Sequence, residues 1–345
     1  MAKVRIGVIG AGGIFRSRHF PGLAKIDGAE VVAICNRSIE SAQKIAAEFD
    51  LNPDFTTDPQ ELIERDDVDA VMIGTWPYKH CPFTLAALAA GKHTFVQARM
   101  AMNLSEAKQM YAASQESGLV TQICPAGAWK GQWFLRRLLD EGYCGEIYNV
   151  YVRDMVRDHL DPGVPLHWRD IDRYSGLNAL AMGITMERIF RIVGYLSTVT
   201  AHSEIFIRQR RLPDGSGNGP VERPDTIHVI GKLENGAEGV FIFSSMNRHT
   251  PIRTQIEIYG SEGTLIYDLA DNLQGGKAGD DGLSQIPIPD EEAAVWTTES
   301  DFINAINGGP QGDTSFYEGV RYMEFTEAVA RSAQSGQTMK LPLVS

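Results

Sequence analysis

Lys3 to Ile9 reads as a buried strand, and Gly10-Ala11-Gly12-Gly13-Ile14-Phe15 then turns the chain directly into a helix. No other stretch limits the possible folds as sharply. A strand, a glycine turn and a helix aim backbone N–H groups and the positive helix end at an anion, the arrangement that holds a dinucleotide pyrophosphate. Gly10 permits the tight turn and Gly12 lets a phosphate approach the backbone, with Gly13 and Ile14 opening the helix. The glycine spacing alone is a weak signal, but its position after a strand and before a helix strengthens it. Phe15 departs from the pattern. A small residue is expected there, because the helix packs closely on the strand. A phenyl ring at that position is expected to swing outward or to push the helix away.

The first 120 residues continue in the same style, with short apolar runs alternating with amphipathic stretches. Ala29–Cys35, Phe55–Thr57, Ala70–Gly74, Thr94–Gln97 and Val120–Cys124 read as strands. Ser38 caps a helix that carries Ala42, Ile45, Ala46 and Phe49 on one face. Asp58-Pro59 starts the next helix. His80 to Ala90 and Ser105 to Gly118 are two more helices, the first ended by Gly91. Such alternation predicts a doubly wound parallel sheet covered on both faces.

The pattern changes after Pro125. Gly127–Gly142, Ala179–Val193 and Ser315–Ser335 read as helices. The long runs Ile147–Val156, Ser197–Ile207, Thr226–Leu233, Ala237–Met246, Thr254–Gly260 and Gly263–Tyr267 read as strands of a mainly antiparallel sheet. Residues 269–289, rich in Gly and Asp, read as a mobile surface loop. The expected division is a first domain at 1–123 and a second at 124–345.

A net charge of −12 argues against a nucleic-acid partner, which needs a basic face. No run approaches the 18 or so apolar residues of a membrane span, and the chain enters its first strand with no room for a signal peptide. The four cysteines (Cys35, Cys81, Cys124, Cys144) form no CxxC pair and suit reduced, buried thiols in a cytoplasm. The histidines show no HxxxH spacing either, so no metal is expected.

The second strand ends in Cys35-Asn36-Arg37-Ser38. A carboxylate there would accept hydrogen bonds from ribose hydroxyls and repel a 2′-phosphate. Asn36 is neutral, while Arg37 and Ser38 suit a phosphate, so NADP is favoured over NAD.

The chain resembles the Gfo/Idh/MocA family of sugar and cyclitol oxidoreductases along nearly its whole length. The resemblance rests on Ile6 to Ile14, on Thr75-Trp76-Pro77-Tyr78-Lys79-His80, and on Leu85 to His93. It continues through Gly145-Glu146-Ile147-Tyr148, Ile256 to Leu265 and the segment around Gly319-Val320-Arg321. It implies a Rossmann domain followed by an α/β domain with an open antiparallel sheet, one face of which commonly packs on a second subunit. A homodimer or homotetramer is therefore expected, with a small sugar-like substrate as the other partner. By the same resemblance Gly10, Gly12, Gly13, Ile14, Asn36, Arg37, Ser38, Thr75, Trp76, His80 and Gln97 contact the coenzyme.

The resemblance breaks where the chemistry should be. Family members typically carry Glu-Lys-Pro after the fourth major strand, and this chain has Gln97-Ala98-Arg99. They also carry Asp and, four residues on, His on one helix face, and these positions fall on Ala181 and Thr185. Hydride transfer from an alcohol leaves a proton that some group must accept, and a positioned acid/base contributes about 10²–10⁴-fold. His80, His167, Asp170 and Tyr174 are the candidate replacements. Arg99, Trp168, Arg169, Asn178 and Thr185 are the candidate substrate contacts, with Arg169 able to clamp an anionic group. The residues support an NAD(P)-dependent oxidoreductase on a sugar, polyol or sugar acid with a non-standard acid/base. They leave open a lyase or hydrolase-type enzyme that retains the nucleotide, and a non-catalytic nucleotide- or sugar-binding protein.

Overall fold

The computed structural model describes residues 3–125, 127, 129–268, 270–312 and 314–344. Two compact units emerge. Unit 1 comprises Met1–Pro125 and Thr297–Val320, and unit 2 comprises Ala126–Trp296 and Arg321–Ser345. The segment 297–320, late in the chain, thus groups with the N-terminal unit.

Unit 1 is built on a six-stranded parallel sheet in the order β3-β2-β1-β4-β5-β6. Its strands are β1 (Val4–Ile9), β2 (Ala29–Cys35), β3 (Asp54–Thr56), β4 (Ala70–Ile73), β5 (His93–Val96) and β6 (Thr121–Ile123). Nearly every residue of β1, β4 and β5 is buried, as expected of strands covered on both faces. The strand order reverses between β1 and β4, and in such sheets ligands bind outside the carboxyl ends of the strands at that point. Gly10 and Thr75 lie there.

The helices of unit 1 start where the sequence provides caps. A short helix, α1 (Phe20–Leu23), follows a π-helical turn at Phe15–His19. The Ser38 hydroxyl accepts from the Ser41 N–H at 3.2 Å to start α2 (Ile39–Ala47). Asp58 caps α3 (Pro59–Ile63), which carries Pro59 at its first position. α4 (His80–Ala89) follows β4 through a 3₁₀ turn, and Asn103 caps α5 (Leu104–Ser117) by accepting from Glu106 N–H at 2.9 Å.

The π turn is how the chain accommodates Phe15. The ring neither swings outward nor pushes the helix off. It is fully buried, and a Cβ on Gly74 would run into it. It lies edge-on to His19 at 4.8 Å and packs on Phe20 at 5.3 Å between ring centroids. One extra residue in the turn makes room for a large side chain where a small one is expected.

Unit 2 opens with α6 (Gln132–Asp140) and β7 (Ile147–Met155), followed by α7 (Asp172–Ser175) and α8 (Met182–Val193). The expected helix from Gly127 thus begins at Gln132, with Ala128 outside the described residues. β8 (Leu196–Glu204) precedes a two-stranded ribbon of β9 (Gln209–Arg211) and β10 (Asn218–Pro220). Then come β11 (Thr226–Leu233), β12 (Glu238–Ser244), β13 (Thr254–Gly260), β14 (Gly263–Asp268), β15 (Leu273–Lys277), β16 (Ser284–Gln285) and β17 (Met339–Lys340). They form a nine-stranded sheet in the order β16-β15-β14-β13-β7-β12-β11-β8-β17. All its described pairings are antiparallel except β12 with β7, so the sheet is mixed and mainly antiparallel.

The stretch 269–289 is more ordered than its composition suggests. Leu269 lies outside the described residues, but β15 and β16 extend the sheet edge, and Gly275 and Gly276 lie in β15 where neighbouring atoms leave little room for a side chain. α9 (Thr298–Ile306) belongs to unit 1, and α10 (Phe316–Ser335) runs from the last residues of unit 1 into unit 2.

Candidate functional site

In unit 1 the glycine turn is open where a pyrophosphate needs space. Gly10 has φ +84°, and a Cβ there would collide with Thr75, so the tight turn requires glycine. A Cβ on Gly12 would meet only the Gly10 carbonyl at 3.9 Å, and one on Gly13 would meet nothing. Gly12, Gly13 and Ile14 are exposed. Beside them, the buried Thr75 hydroxyl has no hydrogen-bond partner. An open backbone cradle with an unused hydroxyl at its edge fits a dinucleotide.

At the ribose end the Asn36 amide donates to the Ala11 carbonyl at 3.2 Å, tying β2 to the glycine turn. Ser38 is committed to its helix cap. Arg37 is exposed, with its guanidinium over the Trp76 ring at 6.0 Å.

His80 is held by backbone on both sides. Its Nδ1 faces the carbonyls of Arg99 at 2.9 Å and Met100 at 3.3 Å, and its Nε2 faces that of Thr75 at 2.9 Å. Complete burial pushes its pKa below the ordinary histidine value, outweighing those carbonyls. The ring bolts the segment after β4 to the segment after β5, which is a framework role rather than the acid/base role expected of it. Arg99 is buried, and the Ala98–Arg99 peptide is cis.

Gln97 joins a network that the sequence did not reveal. The Gln97 amide meets His19 Nε2, and His19 Nδ1 lies 2.5 Å from Glu299 Oε1. All three side chains are buried. The arrangement fits an imidazole that carries its proton on Nδ1, donates it to Glu299 and accepts from Gln97. Cys124 hydrogen-bonds to Gln97, but burial pushes its thiol up to about 12, so it is no nucleophile.

In unit 2, His167, Trp168, Arg169 and Asp170 form a capped 3₁₀ turn. His167 Nδ1 accepts from the Arg169 N–H at 3.3 Å, and the Asp170 carboxylate accepts from the His167 N–H at 3.1 Å. Asp170 is buried and committed to that cap, 3.9 Å from His159 Nε2. Arg169 lies over the Trp168 ring at 4.4 Å, and Arg173 over the Tyr174 ring at 4.6 Å. The Asn178 amide donates to the Ser175 carbonyl at 2.7 Å. These contacts make local caps and stacks, and they do not gather the candidates around one point.

Thr185 leads to the carboxylate that the sequence reading missed. Its hydroxyl donates to Asp154 Oδ2 at 2.7 Å, and Thr254 donates to Asp154 Oδ1 at 3.0 Å. Asp154, Thr185 and Thr254 are all buried. The signal was present in the alternation of β7. Val150 and Val152 face inward, so Asp154 at the next alternate position must too. One helical turn beyond Thr185 stands Arg188, close enough for the Asp154 charge to act on it.

Among the described residues, no group of three His, Cys, Asp or Glu side chains could hold a metal ion. A cavity of about 470 Å³ in unit 2 is lined in part by Met182, Arg208, Arg223 and Val329. Its arginines are already paired, Arg208 with Glu204 and Arg223 with Asp172.

The reversing strand order, the open glycine turn and the unused Thr75 hydroxyl define unit 1 as a dinucleotide-binding Rossmann domain. The family described as "Oxidoreductase family, NAD-binding Rossmann fold" matches residues 4–124, and the GFO/IDH/MocA C-terminal domain matches residues 134–266. Together these matches span most of the sequence, and the chain belongs to the Gfo/Idh/MocA oxidoreductase family. A 4-carboxy-2-hydroxymuconate-6-semialdehyde dehydrogenase of Sphingobium is 38% identical over 120 residues, covering 35% of this chain and 38% of that protein. A 1,5-anhydro-D-fructose reductase of Ensifer adhaerens is 28% identical over 348 residues, covering 98% of each chain. The levoglucosan dehydrogenase solved with NADH and levoglucosan shares the fold, with a TM-score of 0.85 at 24% identity over 99% of this chain and 100% of that one.

Proposed function

We propose that this protein is an NAD(P)-dependent oxidoreductase that acts on a sugar, polyol or sugar acid. The observation that carries this reading is the intact coenzyme cradle, an open glycine turn beside an unpartnered buried hydroxyl, in a chain of this family. Gly10, Gly12 and Gly13 hold the pyrophosphate with their backbone, and Thr75 offers its hydroxyl nearby. Arg37 is the exposed cation at the end of β2 and favours the 2′-phosphate of NADP over the bare ribose of NAD. When bound, the coenzyme supplies the hydride acceptor.

The chain supplies the proton acceptor. Asp154 replaces the absent family histidine, working through the hydroxyl that stands in that histidine's place. Thr185 takes the proton of the substrate hydroxyl and passes its own to Asp154 Oδ2. Thr254 holds the other carboxylate oxygen, which fixes the group's orientation.

Two further readings accompany this one. The outer face of the unit 2 sheet presents Tyr151 and Ile230, 40% and 60% exposed, and a second copy of the chain would cover them in a homodimer or homotetramer. All four cysteines are free and buried, which suits a reducing cytoplasm. No described helix is long and apolar enough to cross a membrane.

The test is absorbance at 340 nm with a panel of polyols, aldoses and aldonates, beside calorimetric titration with NADPH and NADH. Turnover with at least one compound and tighter binding of NADPH are expected. No heat with either coenzyme would end the reading.

A further inference from the structure

Buried polar groups are nearly always hydrogen-bonded, so a cluster that is not calls for an explanation. Unit 2 contains one. Arg188 makes no ion pair and no hydrogen bond among the described residues, and its Nε is buried without a partner. Its neighbour Glu187 cannot serve it, because that carboxylate pairs with Arg191. Asp154, whose oxygens each accept from a threonine, forms no hydrogen bond or ion pair with it among the described residues and acts on it only through its charge. The Arg188 guanidinium sits over the Trp129 ring at 5.3 Å. Trp129 is itself buried, and its indole N–H has no partner. Gln132, three residues on, is fully buried with both amide atoms unpartnered.

A guanidinium has five N–H donors in a fixed fork, and among the described residues none of them finds an acceptor. The indole ring shields one side of the guanidinium and holds its plane. Burial lowers the Arg188 pKa to about 10, which still leaves it charged at neutral pH. A cation so placed lacks an anion with two oxygens. The Asp154 charge nearby penalises a dianion more than a monoanion, which selects a carboxylate over a phosphate.

We propose that Arg188, with the Trp129 N–H beside it, binds the carboxylate of the substrate, so that this chain takes sugar acids in preference to neutral sugars. The inference rests on the oxidoreductase reading for the reaction but not for the binding. It also places the anion on Arg188 rather than on Arg169, the sequence candidate.

The experiment is calorimetric titration of the full chain, with and without NADP, using a panel of uronates and aldonates, the matching neutral aldoses, and glucose 6-phosphate. The same panel is followed at 340 nm. A hydrogen-bonded charge pair at a buried site corresponds to roughly 10–100-fold in affinity. At least one sugar acid is expected to bind about tenfold or more tighter than its neutral counterpart. Arg188→Met should erase that difference, and Arg188→Lys should restore part of it. Melting curves of both variants check that they fold. No sugar acid bound at millimolar concentration, a preference that survives Arg188→Met, or tighter binding of glucose 6-phosphate would each overturn the proposal. Arg188-dependent binding of a sugar acid without any change at 340 nm would uphold it and sink the oxidoreductase reading instead.

Discussion

The His19 and His80 region of unit 1 and the Arg188 region of unit 2 treat their buried polar groups differently. In unit 1, both His80 nitrogens face backbone carbonyls and His19 bridges Gln97 and Glu299, so both imidazoles find polar neighbours inside the protein. In unit 2, Arg188, Trp129 and Gln132 leave theirs open. An unmade hydrogen bond at a buried group costs about 1–3 kcal/mol, a cost that a ligand can remove. By that rule an open cluster marks a candidate contact with something else. Thr75 shows the same rule inside unit 1, since its orphan hydroxyl lies at the coenzyme cradle.

The sharpest way to break this contrast is Asp154→Asn. The amide keeps the shape and can still accept from a threonine, but it cannot take up a proton. Turnover is expected to fall about 10²–10⁴-fold, while coenzyme affinity and melting temperature stay near wild type. Equal turnover in the variant would return the acid/base role to another group.

His19→Leu tests the framework side. It leaves the buried Glu299 carboxylate without its imidazole, and breaking a buried pair of this kind costs about 3–5 kcal/mol in stability. Removing the unpaired charge in Arg188→Met should cost far less. Urea denaturation of the two variants reads the difference, and equal losses would erase the distinction between the units.

The smallest expected effect is a pH dependence. His80 has a folded pKa below its ordinary 6.5, so its contribution to stability is present above 6.5 and is lost as pH falls below it. His93 and His167 shift in the same direction. Stability should therefore decline between pH 6.5 and 5, before the carboxylates titrate, and His80→Gln should flatten part of that slope. A denaturation midpoint independent of pH in this window would show that these imidazoles take up protons as readily in the fold as in the unfolded chain.

Local pattern made much of the fold legible. The alternation of apolar runs and capped helices predicted the parallel sheet, Ser38 and Asp58 cap the helices that they were expected to start, and Gly91 follows the end of α4 with φ +74°. Legibility failed where long-range packing decides. Residues 273–277 read as loop from their glycines, yet β15 pairs with β14, and neighbouring atoms leave no room for a side chain at Gly275. Glu299 stands 280 residues from His19, so no spacing rule connects them. Asp154 was readable from the two-residue period of β7 but looked like one more surface aspartate until Thr185 and Thr254 were seen to hold it.

By itself the sequence determined the Rossmann unit and its glycine turn, because these are matters of local backbone chemistry and residue identity. Only the tertiary structure decided that both His80 nitrogens face backbone carbonyls, that Phe15 fits through a π turn, and that Arg188 has no hydrogen bond or ion pair among the described residues. Whether a buried polar group is satisfied depends on atoms far away in the chain, and that is settled by packing alone.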